Sequence, residues 1–185
     1  MSGKKSLDYS VVDNFQNCKI PQEIEDEILE TFAKYSIEHD MDTTDLNSYF
    51  EDLQMPHELY KLVRIEDVVV EDTKVIDFDK IVKVTYHLLI YMNNDDIITS
   101  FWNLLVKNSG RLDNFPNVRL KDHVLSVKDL QKIDTLLNNN VISSKSNSKH
   151  FDIIGMMSCA TGGSRVYMTY LDFANVLGRL GYLQF

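Results

Sequence analysis

The stretch DTKVIDFDKIV, residues 72–82, decides the fold. From Ile76 it has the spacing of the closing half of a calcium-binding loop. An apolar residue comes first, then a helix cap at Asp77, then the loop's last ligand position at Lys80, running into an apolar exit helix. That last position normally supplies a bidentate carboxylate to the metal. The chain keeps the shape of a metal site and puts an ammonium where its strongest ligand belongs.

The same local pattern recurs in MDTTDL from Met41, LSVKDL from Leu125 and MTYLDF from Met168. One such match is only a helix capping signal. Four matches spaced as two pairs, each after an amphipathic helix, predict an all-α chain of EF-hand-like helix-loop-helix units. The expected arrangement is two lobes of two units each, the paired loops joined by short β-bridges at the apolar positions.

Counting back to the ligand positions predicts that no loop holds a metal. The second loop offers Val69, Glu71, Thr73 and Lys80 where oxygens are needed, and Lys74 at the glycine position. The fourth offers Thr161, Gly163, Arg165 and Asp172, with Val166 for the glycine. The first runs from Lys34 to Asp45 with His39 in the glycine's place. In the third, the preceding helix is expected to end near Leu105, and the bridge residue Leu125 and closing Asp129 follow an insertion of roughly 13 residues over the usual length. No metal and no cofactor are expected. The positive charge of Lys80, with Lys74 and Arg165 near their own loops, is the expected substitute for the ion.

Helices are predicted near residues 21–36, over Leu46, Tyr49, Phe50 and Leu53, and from Pro56 with Leu59, Leu62 and Val63 as an apolar side. A fourth covers FDKIVKVTYHLLIYM, and later ones fall near 95–107, 126–137, 151–160 and 169–181. The polar NNDD at 93–96 separates the lobes. A flexible tail is expected over 1–19, an N-terminal lobe over 20–92 and a C-terminal lobe over 93–185, with a mobile Asn/Ser/Lys loop at 138–150.

With 185 residues, 44% of them hydrophobic, the chain can bury a real core. Its net charge of −9 disfavours direct binding to nucleic acid or anionic membranes, and no apolar run reaches the ~20 residues of a membrane helix. Cys18 and Cys159 are too few for a disulfide framework, and the first ten residues lack a secretory pattern. An intracellular setting is expected. No catalytic constellation is assembled. With His150 and Asp152 near Cys159 a nucleophile and base are conceivable, but His150 reads as a surface imidazole and Cys159 as a core thiol, and ATGGSR reads as the turn of the fourth loop. The acids Glu38, Asp40, Asp42 and Asp45 read as an acidic helix start. Trp102 is left open between partial exposure and packing on the insert.

At this point the chain resembles the centrin and calmodulin superfamily from Pro21 to its end. EDEILE, DLQMPHELYKLVRIEDV, VIDFDKIV, DHVLSVKDLQKI and MTYLDFANVLGRLGYL further resemble the centrin-like accessory subunits of yeast nucleotide excision repair. The resemblance implies a small nuclear, non-catalytic protein, monomeric outside its complex. Its implied partner is an apolar helix in the C-terminal region of a xeroderma pigmentosum group C-type damage sensor, in company with that sensor's ubiquitin-like shuttle subunit. The departures at the ligand positions make calcium-independent binding the expectation. A calcium-responsive sensor of signalling or spindle-pole duplication is the alternative. In calmodulin-like lobes the helix-binding groove corresponds here to Leu104, Leu125, Leu130, Ile133, Leu137, Met156, Met157, Ala160, Met168, Phe173, Val176 and Leu177, each of which also suits a plain core. Asp129, Asp134, Asp152 and Asp172 are the expected acidic rim.

Overall fold

A computed structural model of the chain describes Val12, residues 15–140 and residues 153–185, the side chains of 137–140 excepted. Most of the expected tail, and the expected mobile loop apart from the helical backbone of 138–140, lie outside the described residues. The described chain is predominantly helical and divides into two compact units, residues 1–95 with 183–185, and residues 96–182.

In the N-terminal unit, Pro21 precedes α1 (Gln22–Tyr35), whose first turn carries Glu23 and Glu25, a favourable placement on the helix dipole. The short α2 (Leu46–Asp52) buries Leu46, Tyr49 and Phe50. Helix α3 (His57–Tyr60) starts behind Pro56 as the sequence asks but lasts only four residues. The chain then turns, and a 3-10 turn over Ile65–Asp67 leads into the second loop, so the expected longer helix through Leu62 and Val63 is absent. Helix α4 (Phe78–Asn93) is the centre of the unit: Asp77 caps it by accepting from the Lys80 amide, and Ile81, Thr85, Leu88 and Ile90 are buried. The Tyr49 hydroxyl meets Thr85 at 3.0 Å inside this core, and burial pushes the phenol up to about 12.

The loops before α2 and α4 are tied together at the apolar positions picked out by the sequence pattern. The Ile76 amide donates to the Met41 carbonyl (2.9 Å), the Thr43 amide to the Lys74 carbonyl (3.0 Å), and Asp42 bridges Val75 antiparallel. Both Met41 and Ile76 are buried.

The C-terminal unit contains α5 (Asp95–Ser109), α6 (Arg111–Asn114), a 3-10 turn (Leu120–Asp122), β1 (Leu125–Ser126), α7 (Val127–Asn140), α8 (Ile153–Thr161), β2 (Tyr167–Met168) and α9 (Tyr170–Arg179). Strands β1 and β2 pair antiparallel in the register Leu125 to Met168 and Ser126 to Tyr167. Helix α9 starts with a capping box, Thr169 and Asp172 each satisfying the other's backbone amide. Helix α5 overruns its expected end by one turn. Gly110, at φ +80°, then makes the left-handed break, where a Cβ would lie 2.7 Å from the Lys132 ammonium. The core is built around Trp102, fully buried, with its ring against Tyr170 and Phe173 and its indole N–H donating to the Leu120 carbonyl at 2.8 Å. That places the tryptophan in the core and settles what the sequence leaves open.

Candidate functional site

The four loops differ in what closes them, and three are closed by a cation of the chain itself. In the second, Lys80 Nζ donates to the Val69 carbonyl at 2.8 Å, joining the loop's last position to its first, and lies 3.7 Å from Asp77. Asp72 supplies the sharp backbone turn at φ +59°. In the third, Arg111 Nε and Nη2 donate to Asp129 Oδ2 at 3.1 and 2.9 Å, and the Ser126 amide and hydroxyl donate to the same oxygen at 2.8 and 2.7 Å. Burial works to raise the Asp129 carboxyl, and these hydrogen bonds outweigh it and hold the group below the usual carboxylate range. In the fourth, Arg165 Nη2 donates to Asp172 Oδ1 at 2.6 Å, and the side chains are only 10% and 11% exposed. Thr169 occupies the other Asp172 oxygen through its amide and hydroxyl, both at 2.8 Å.

The first loop is closed by short backbone-capping bonds instead. Asp45 accepts from the Asp42 amide at 3.1 Å, and Asp42 accepts from Thr44 twice at 2.6 Å. Thr44 thereby holds the Asp42 carboxyl below its ordinary value. Lys34 and Lys74 are exposed. Among the described residues no group of three or more His, Cys, Asp or Glu is placed to hold a metal ion, the acids of residues 38–45 included.

The residues assigned to a helix-binding groove gather in the C-terminal unit, most of them inside it. Leu125, Leu130, Ile133, Met157, Met168, Phe173 and Leu177 are buried, and Ala160 and Val176 are half-buried. Only Leu104, 53% exposed, and Met156, 39% exposed, are open to solvent, and the side chain of Leu137 lies outside the described residues. Helix α8 packs on both α7 and α9, closing the apolar face over these side chains.

An exposed apolar stripe of which sequence reasoning picked out only Leu104 runs along α5: Ile97, Phe101 and Leu104, with Tyr182 edge-on to Phe101 at 6.1 Å between ring centroids. Its signal is the i, i+4, i+7 spacing, offset from the buried Ile98, Trp102 and Val106 on the same helix. The acidic rim is not assembled as expected. Asp129 and Asp172 turn inward onto their arginines, Asp134 has a partner of its own, and Asp152 lies outside the described residues. Cys159 is exposed rather than a core thiol, because it falls on the outer side of α8, while His150 lies outside the described residues. No helix among the described residues is long and apolar enough to cross a membrane.

The net charge of −9 hides an uneven split. Residues 1–95 carry 21 acids against 9 lysines and arginines, a net −12, whereas residues 96–182 carry 10 lysines and arginines against 7 acids, a net +3.

Comparison with known proteins gives this architecture a family. The Rad33 family model matches residues 61–141, from the end of α3 into the start of the stretch after α7. The DNA repair protein RAD33 of Saccharomyces cerevisiae is 50% identical over 184 residues, which cover 100% of this chain and 99% of that protein. No solved structure matches. With half its residues identical to that protein from end to end, the chain belongs to the Rad33 family of DNA repair proteins.

Proposed function

We propose that the chain is a non-catalytic, nuclear subunit of nucleotide excision repair, EF-hand-like in both units. In this reading its C-terminal unit binds and stabilises an apolar helix of a xeroderma pigmentosum group C-type damage sensor, alongside that sensor's ubiquitin-like shuttle subunit, independently of calcium. Its membership of a DNA repair family supports the setting. The pairing of loops at Met41 with Ile76 and at Leu125 with Met168 supports the EF-hand-like reading.

The observation that carries the proposal is the pair of arginines in the C-terminal loops. A calcium site gathers carboxylates that repel one another until the metal arrives. Here the closing carboxylate of each loop, Asp129 and Asp172, already has a guanidinium on it, so neither waits for a metal to neutralise it. A partner helix meets first the open apolar side chains, Ile97, Phe101 and Leu104 on α5 and Met156 on α8. Deeper seating parts α8 from α7 and α9, exposing Leu125, Met168 and Phe173, and the partner's burial of that surface offsets the opening.

Calorimetric titration of the full chain, in chelator, with a peptide spanning the sensor's C-terminal apolar helix tests this. Saturable one-to-one binding is expected. Leu104→Asp and Met156→Asp alter exposed positions, so the fold persists, and each weakens binding by about tenfold or more. Undiminished binding in both variants would move the partner to another surface.

A further inference from the structure

A second apolar opening lies on the N-terminal unit, lined by none of the residues of the sensor-helix site. A slot of about 410 Å3 is bounded by α1, the first half of α4 and the segment 16–20 that precedes α1. Its apolar walls are Ile20, Leu29, Phe78, Val82 and Tyr86. Leu29 and Phe78, 38% and 40% exposed, are two large apolar side chains open to solvent at one cavity. Phe78 is held in place by the Phe32 ring, edge-on at 5.1 Å, so the slot is a formed feature rather than a gap left by loose side chains.

Charge selects what can enter. Glu25 and Asp79 line the slot against a single lining cation, Lys83. The exposed side of α1 adds Glu23, Asp26, Glu27 and Glu30, all within a unit of net −12. That field repels a phosphate backbone and an anionic membrane, and it repels the same unit of a second copy. It attracts a chain that is both apolar and basic.

We propose that this slot docks a basic amphipathic segment of a partner protein, an apolar side chain entering between Leu29 and Phe78 and lysines or arginines lying along the acids of α1. This surface is separate in residues from the sensor-helix site of the C-terminal unit. A protein with both sites links two partners or two segments of one partner.

Cys18 lines the slot and the exposed Cys159 lies on α8 beside Met156, so the chain carries one reporter for the slot and one for the sensor-helix site. The full chain is alkylated with iodoacetamide in the presence of a synthetic amphipathic helix of about 18 residues built from Leu and Lys, or of its Leu/Glu counterpart, and each cysteine is followed by peptide mass. The Leu/Lys helix is expected to slow alkylation of Cys18 several-fold, leave Cys159 unchanged and lose its effect with added salt. Leu29→Ser, an exposed position, is expected to restore the rate at Cys18. Equal protection by the Leu/Glu helix, protection of Cys159 in place of Cys18, or no protection would overturn the proposal. Protection of Cys18 that grows with protein concentration and needs no peptide would overturn it in favour of a second copy. The readout is independent of the sensor helix and stands or falls separately from it.

Discussion

Lys80 and Arg165 bring the same charge into corresponding loops, and burial sets what each is worth. The Lys80 side chain is 45% exposed and holds a backbone carbonyl, so Lys80→Ala is expected to cost under about 1 kcal/mol in urea unfolding. Arg165 is nearly enclosed with Asp172, and its guanidinium also lies over the Tyr167 ring at 5.5 Å. Arg165→Ala leaves a buried carboxylate without its cation and is expected to cost about 3 kcal/mol, whereas Asp172→Asn with Arg165→Met together costs less than either alone. Equal effects of the two single alanine variants would mean that burial does not rank these cations. Among the described residues Arg165 Nε and Nη1 find no hydrogen-bond partner, which is part of what the double variant relieves. At this scale the sequence was readable where a residue acts inside its own loop. Lys80 and Arg165 stand at counted positions, but the Arg111 pairing with Asp129 spans 18 residues of an insert with no periodicity, and nothing local marks it. Burial was equally hidden: Leu125, Met157 and Phe173 read the same in a closed core as in an open groove, and only packing tells the two apart.

Among the elements, the segment before α1 depends on one imidazole. Phe15 is fully buried, stacked on His87 at 5.0 Å and edge-on to Phe185 at 5.6 Å. Burial, with the nearby Lys83 ammonium, lowers the His87 pKa from 6.5 to about 4, against a hydrogen bond with the Phe15 backbone that raises it. The folded state therefore resists a proton that the unfolded chain accepts. The His87 contribution is whole above pH 6.5 and declines as the pH falls toward 4, by about 3 kcal/mol at most. Thermal unfolding from pH 7 down to pH 4.5 is expected to show this loss, and His87→Phe is expected to flatten it; an unchanged slope would assign the acid sensitivity to the carboxylates. The long helices were legible because each repeats an apolar face over several turns and most have a cap or a proline at the start, as Pro21, Asp77 and Thr169 show. Helix α3 is shorter than its pattern: Leu59, Leu62 and Val63 have helical spacing, yet the regular helix ends at Tyr60 and the backbone continues in i→i+3 turns, Leu62 onto Leu59 and Val63 onto Tyr60. Helix α6 was missed for the opposite reason, since Arg111–Asn114 buries nothing and is fixed by its arginine.

At the scale of the whole molecule, one acidic unit and one mildly basic unit share a chain whose loops carry their own cations. The whole-chain charge suggests uniform repulsion of anions, and the split shows that only the N-terminal unit has that property strongly. On the proposed reading Lys80, Arg111 and Arg165 stand in their loops in place of a metal ion. A ligand that binds the folded state must raise its stability, by about 2.7 kcal/mol at a hundred times its dissociation constant. The direct measurement is the thermal unfolding midpoint of the full chain in chelator and in millimolar calcium, at matched ionic strength. Superimposable curves are expected. A midpoint several degrees higher in calcium would contradict the claim and make at least one of these loops a working calcium site.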